Sequence, residues 1–310
     1  MKTYKAFYII ALMGTVLAGC QKEQVIDSPE ESPSTEPKLV TLTVRVSKGI
    51  NTRSLTLYYD DNNKLKLNAT WADGEKVDVY LAGECIGTLK VTPTDNTGET
   101  ATLSGKVNKT DDLMNGATLT LLFPGREDHA WSYQGQDGSA PSDQSALSTS
   151  YDYATATFTV ASVNDEEVTV TGETSFETQQ SIFCFNFMDK ADNDLEISAK
   201  EVTFYSSVCN KLVQSRSYST SNWASTYGSL LVKPLSATSQ IYVSVRNENS
   251  SAEDKFVFSV IDTDNKLYFG TKTIPNNADV LGMGKFVSAN VKLTVADMTP
   301  STEVTTAAAL

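Results

Sequence analysis

The sequence predicts an all-β protein made of two tandem antiparallel β-sandwiches. Three observations carry this expectation. Apolar and polar residues alternate with period two along most of the chain, and the alternating apolar positions are rich in Val, Ile, Leu and aromatics. Polar turns punctuate these runs at roughly 8–12-residue spacing, the rhythm of sandwich strands. The strand total exceeds what one sandwich holds, which places a division near Gly172.

The chain opens on an address rather than a fold. Lys2 and Lys5 precede an apolar run from Ala6 to Val16, and small residues follow in Leu17-Ala18-Gly19-Cys20. That is the layout of a secretory signal peptide, and the run is well short of the ~20 residues a membrane-spanning helix needs. Leu17 to Cys20 resemble the lipobox of bacterial lipoproteins. The expectation is cleavage of residues 1–19, acylation of the Cys20 thiol and new amine with palmitate-type chains, and anchoring from outside the membrane. Several chains on one residue give stable anchoring where one does not. Residues 20–37 read as a disordered tether. Ser28 to Pro37 hold three prolines, three acids and no apolar side chain, too little to offset the entropy of ordering.

The first domain is expected over 38–172. Val40, Leu42, Val44 and Val46 alternate with Thr41, Thr43, Arg45 and Ser47, which predicts a half-buried strand. Leu55–Tyr59 and Leu65–Leu67 flank a polar turn and predict a hairpin. Val77–Leu81, Ile86–Val91, Ala101–Val107 and Ala117–Phe123 continue the pattern. Pro124–Thr149 reads as a long loop carrying His129, Trp131 and Tyr133; loops of that length are functional or mobile. Thr155–Val163 and Glu167–Thr171 return to strand. The second domain, 173–296, opens on the aromatic run Ser181–Phe187. Val202–Tyr205, Leu230–Val232, Ile241–Val245, the hairpin Lys255–Phe269 and the strand Val287–Val295 come next. A tail of 297–310 closes the chain.

Composition narrows the function. The formal net charge of −13 moves toward −15 once Lys2 and Lys5 leave with the signal peptide. So acidic a body repels phosphate backbones and points away from nucleic acid. Beyond Cys20, the cysteines are Cys85, Cys184 and Cys209, an odd set. A Cys184–Cys209 bridge and a plain buried thiol at Cys184 both fit.

Several blocks carry a family likeness. Trp71-Ala72-Asp73-Gly74-Glu75-Lys76-Val77-Asp78-Val79, Ala101-Thr102-Leu103-Ser104-Gly105, Leu122-Phe123-Pro124, Tyr151-Asp152-Tyr153-Ala154, Ser181–Phe187 and Gly284-Lys285-Phe286 with Asn290–Leu293 come in one order. In that order, behind a lipobox and tether, the sequence resembles the fimbrillin-like family, the lipid-anchored pilins of Bacteroidetes. Glu75 stands where Asp is more usual, and Leu103 where Phe is. The resemblance implies two transthyretin-like sandwiches, a cell-surface location on the outer membrane, and polymerisation with other fimbrial subunits, with host or bacterial surface ligands as further partners. It also implies removal of the first strand by a trypsin-like protease, at Arg53 or Arg45, and its replacement by another subunit's strand. Val304, Thr306, Ala308 and Leu310 alternate in the tail as the candidate donor; Val287–Val295 is the substitute. The physics of the first block stands apart from the name: Trp71 precedes an Asp73-Gly74 turn and is expected to lie over the Val77 and Val79 face.

The sequence shows no GxSxG, HExxH, P-loop or dinucleotide fingerprint. His129, beside Glu127 and Asp128, reads as a solvated loop residue. Asp189–Glu196 is rich in oxygen ligands, but Asp194 stands where a calcium loop requires Gly. The expectations are therefore no enzyme activity, no metal and no cofactor. The alternative to a fimbrial subunit or adhesin is a surface lipoprotein that captures glycans on Trp131, Tyr133, Tyr151, Tyr153, Trp223 and Tyr227.

Overall fold

The structure is a computed structural model that describes residues 37–48, 56–59, 65–68, 70–126, 130–142, 145–192, 195–208, 211–219, 222–248, 254–274 and 283–296. It is all-β, with one short helix among the described residues.

Two large sheets carry the chain. The first is built from β1 (Leu39–Lys48), β4 (Lys76–Leu81), β5 (Glu84–Pro93), β6 (Thr100–Asn108), β7 (Thr118–Phe123), β9 (Ala154–Val163), β10 (Glu167–Val170) and β11 (Thr174–Thr178). Its order is β10-β1-β11-β9-β7-β4-β5-β6, and β6 pairs back onto β1. That last pairing closes the sheet into a barrel-like sandwich. Between β5 and β6 the backbones come close: a Cβ on Gly105 would meet the Thr88 carbonyl at 2.5 Å, so only glycine fits there. The intervening hairpin pairs β2 (Thr56–Tyr59) with β3 (Leu65–Asn68), as the sequence predicts.

Period two explains the first core. Val40, Leu42, Val44 and Val46 all face inward, none more than 2 % exposed. They meet Val77 and Val79 of β4, Leu103 and Val107 of β6, Leu119 and Leu121 of β7, and Phe176 of β11. Trp71 lies in this core as expected, edge-on to Phe123 at 6.0 Å and to Phe176 at 5.2 Å.

The second sheet holds β12 (Ser181–Asp189), β13 (Ala199–Ser206), β16 (Leu230–Val232), β17 (Gln240–Val245), β18 (Lys255–Asp262), β19 (Leu267–Thr273) and β20 (Phe286–Val295). Its order is β16-β13-β18-β19-β20-β12-β17. Phe183, Phe185, Phe187, Phe204, Phe256 and Phe258 fill its inner face. Several of these rings meet edge-to-face, as for Phe185 and Phe258 at 4.9 Å, an arrangement that adds to simple burial. The two sheets succeed one another between Thr178 and Ser181, within the compact unit Pro37–Leu310. Gly172, at φ +72°, lies in the turn between β10 and β11 of the first sheet.

A third, small sheet joins the halves. β8 (Ala130–Ser132) from the first half pairs with β14 (Val213–Ser219), which pairs with β15 (Asn222–Tyr227). The described part of residues 124–149 is therefore not a loose loop. Trp131 and Tyr133 are buried, and α1 (Ala146–Ser150), capped by the Ser145 hydroxyl, buries Leu147 against Ile182 and Cys184.

The stretch after β8 closes the second sheet. That sheet has two edges, β16 and β17, and residues 134–138 bond to both. Gln134 Nε2 donates to the Ser229 carbonyl at 2.7 Å, and Lys233 N donates to the Gln136 carbonyl at 3.1 Å. On the other side, Ser244 N donates to Gln136 Oε1 at 2.7 Å, Gln136 Nε2 donates to the Ser244 carbonyl at 2.8 Å, and Tyr242 N donates to the Gly138 carbonyl at 2.9 Å. The Gln136 amide thus mimics a strand's peptide, donating and accepting at once. A segment that reads as a loop works as a zipper because buried backbone groups at sheet edges must be satisfied.

Candidate functional site

The site the sequence points to is the seat of β1. β1 pairs antiparallel with β6 over nine residues, from Leu39 opposite Asn108 to Ser47 opposite Thr100. Its other edge is shared. Thr41 and Leu42 lie parallel to β10, and residues 46–48 lie parallel to β11. Between these two stretches the edge of β1 faces an open cleft of about 370 Å³, lined by Thr43, Arg45, Val170, Gly172 and Glu173 among others. The strand is therefore gripped along one side and only at its ends along the other.

Its outward face is polar. Thr43 and Ser104 hydroxyls meet at 2.9 Å, and Lys106 Nζ donates to Thr41 Oγ1 at 2.8 Å. Just ahead of β1, Lys38 and Lys109 both reach Asp165 Oδ1, at 2.7 and 2.9 Å. Hydrogen bonds from Lys38 and Lys109 and their charges lower the Asp165 carboxyl to about 2. Asp165 is exposed, so this clasp fixes register more than it adds stability.

Arg45 projects from β1 to solvent, opposite Thr102. Cys20, Arg53, His129, Cys209 and the tail positions Val304, Thr306, Ala308 and Leu310 lie outside the described residues. Cys85 and Cys184 are free thiols, and burial raises the pKa of both. Asp189 Oδ1 accepts from Ala191 N at 2.7 Å and shapes a turn.

The structure also places two other sets of sequence candidates. Val287–Val295, the substitute donor, lies in β20. β20 lies inside its sheet, parallel to β12 over eight residues and antiparallel to β19, with Val291 and Leu293 fully buried. Its departure would split the sheet. Of the candidate aromatic platforms, Trp131, Tyr133, Tyr151, Tyr153 and Trp223 pack within the fold, and Tyr227 is exposed. Trp131 stacks on Tyr153 at 4.8 Å, Tyr133 and Tyr153 are fully buried, and the Tyr151 hydroxyl donates to the Gln134 carbonyl. Trp223 covers Trp131 at 4.5 Å and lies under the Arg216 guanidinium at 4.1 Å.

Period reading missed a polar joint beside these rings. Arg246 Nε donates to Glu248 Oε1 at 2.8 Å, and the Tyr227 hydroxyl donates to Glu248 Oε2 at 2.6 Å. Arg246 also donates to the Gln179 carbonyl at 2.7 Å, and Arg216, 5 % exposed, donates to Gln179 Oε1 at 3.3 Å. Gln179 lies in the link between the two sheets, so β14 and the residue that follows β17 hold that link. Burial, then the neighbouring Arg246 charge, lowers the Arg216 pKa to about 10.

No family model and no curated protein matches the chain. Solved structures are similar to it at low identity. A proposed cell adhesion protein from Bacteroides uniformis is 12% identical at a TM-score of 0.43, over 83% of this chain and 97% of that one. A fimbrial protein from Bacteroides ovatus is 11% identical at 0.34, over 84% of this chain and 50% of that one. A shaft pilin from Lactobacillus rhamnosus GG is 11% identical at 0.28, over 86% of this chain and 100% of that one.

Proposed function

We propose that this chain is a structural or adhesive subunit of a cell-surface fimbria. It is lipid-anchored through Cys20, built as two transthyretin-like sandwiches, and assembled by donor-strand exchange once its first strand is removed. It is not an enzyme in this reading.

One observation supports the proposal: β1 pairs along its length with β6 but only at two short stretches along its other edge. It is the first strand of the fold and comes directly after the tether. It supplies a full edge to β6, and it contributes four aliphatic side chains to the first core. At ~1.5–3 kcal/mol per buried aliphatic side chain, its loss removes roughly 6–12 kcal/mol of burial. That is comparable to the whole stability of an ordinary domain. A subunit cut after β1 has a strong drive to accept a replacement strand along β6.

The cut that fits is at Arg53. β1 ends at Lys48, so cleavage at Arg53 frees the entire strand. Cleavage at Arg45 would leave Val46 behind, and Arg45 is held in a ladder that hinders a protease. The test is the N-terminal residue of the protein in shed surface appendages. A start just after Arg53 supports the proposal, and Arg53→Ala should then retain the lipid-bearing form and prevent polymers. A start at Cys20 in assembled fimbriae would remove strand exchange by cleavage from consideration.

A further inference from the structure

Across β4 and β5, Lys76 stands directly opposite Lys90, and Asp78 stands opposite Thr88 on the same face. Like charges facing each other across a strand pair are destabilising. Both lysines are exposed, and among the described residues neither side chain makes an ion pair or a hydrogen bond. A chain with a net charge of −13 has acids in plenty to place beside them. The arrangement costs stability and calls for a partner.

The two lysines form the wall of a cleft of about 580 Å³, whose other lining residues include Asp78, Thr88, Gly125 and Arg126. The floor is built. Asp78, 4 % exposed, accepts from Thr88 Oγ1 and from Arg126 N, each at 2.8 Å. A Cβ on Gly125 would meet Asp78 Oδ1 at 2.8 Å, so glycine lets this backbone close over the carboxylate. Arg126 Nη1 is steadied by the Ser150 carbonyl at 3.2 Å. Lys76, Lys90 and Arg126 thus line one cleft together with a single carboxylate, Asp78, that is already hydrogen-bonded.

We propose that this cleft binds a sugar acid, a small saccharide bearing a carboxylate that Lys76, Lys90 and Arg126 engage. The volume lies in the range of small-ligand sites. Among the described residues the lining carries no aromatic ring and only Leu89 as an apolar side chain, which suits a hydrophilic ligand. β4 and β5 are interior strands of the sheet, so neither offers a free edge for a peptide to pair with. The cleft is separated from β1 by β6, and its occupation does not depend on strand exchange.

The test is calorimetric titration of the full chain with a glucuronate-containing disaccharide. A neutral disaccharide, sulfate and a short poly-glutamate peptide serve as the other arms. The uronate should bind, and more weakly as salt rises. Lys76→Gln with Lys90→Gln should weaken it about tenfold or more. The same variant should melt no lower than the parent, because a like-charge pair has been relieved. Uronate binding that survives the double variant overturns the proposal. So does binding of sulfate as tight as the uronate, of the peptide in preference to it, or of the neutral sugar equally well.

Discussion

Gln136 offers the sharpest check on how the second sheet is closed. Its side chain is 2 % exposed and makes three hydrogen bonds, to the Tyr133 carbonyl and to both backbone groups of Ser244. Gln136→Ala would leave Ser244 N without this acceptor and two carbonyls without this donor, in a space water does not reach. An orphaned buried polar group costs about 1–3 kcal/mol, with partial relaxation reducing the sum. The expected loss is therefore about 3–5 kcal/mol, near the top of what single substitutions do. Urea unfolding monitored by tryptophan fluorescence and by circular dichroism reads it directly. The midpoint should fall while the slope holds, and the melting temperature should drop by roughly 2–4 °C per kcal/mol. Gln136→Met, which keeps the volume but not the hydrogen bonds, should be nearly as damaging. If Gln136→Ala unfolds within about 0.5 kcal/mol of the parent, the segment is not what satisfies the sheet edges.

Three further outcomes are expected. A chain of residues 173–310 lacks residues 134–138 and should fail to give dispersed amide spectra alone, and a peptide spanning 130–149 added in trans should restore them. Burial raises the Glu248 pKa, but hydrogen bonds from Tyr227 and Arg246 and the charges of Arg246 and Arg216 outweigh it, so the net shift is downward. A depressed carboxyl pKa stabilises the fold above the unfolded value of about 4.3 and loses that contribution as pH falls through the folded value. Glu248→Gln should then flatten the acid limb of a stability–pH curve, and an unchanged limb would count against the joint. Cys20→Ala should shift the protein to the soluble fraction or stall the precursor; a cleaved variant that stays with the membrane would sink lipid anchoring.

The strands were legible wherever one face is core and the other is solvent. β1, β6, β18 and β20 declare themselves because their alternation reports burial. β11, β14 and β15 do not. β11 brings one buried aromatic, Phe176, and β14 puts Arg216 where a hydrophobe would have signalled a strand. β15 is a polar edge strand, with Trp223 its single packed ring. The zipper was illegible for a related reason. Gln134 and Gln136 act through amides rather than apolar area, and a glutamine that replaces a peptide group looks like any loop glutamine. Within the candidate site, the inward set Val40, Leu42, Val44 and Val46 could be read from period alone. The split outer edge of β1 could not, since it depends on where β10 and β11 arrive from far along the chain.

The β1 seat also sets what a replacement strand must supply. A donor running antiparallel to β6 has to place four side chains at every second residue, as Val40, Leu42, Val44 and Val46 do. Val304, Thr306, Ala308 and Leu310 match that spacing. They match its volume less well. Thr306 would bring a hydroxyl to the position of Leu42, and Ala308 would fall short of Val44, in sites that are 0 % and 2 % exposed. Such a donor completes the sheet but underfills the core, so exchanged subunits should hold together through the β6 ladder more than through packing. Ala308→Val should correct part of the deficit. At ~0.8 kcal/mol per buried methylene, two added carbons contribute about 1.6 kcal/mol, close to a tenfold slower release of the strand. Polymers assembled from that variant should survive a higher temperature in detergent before they fall to monomers. If they dissociate with the parent's profile, Ala308 does not occupy the place of Val44, and either the register or the identity of the donor is different.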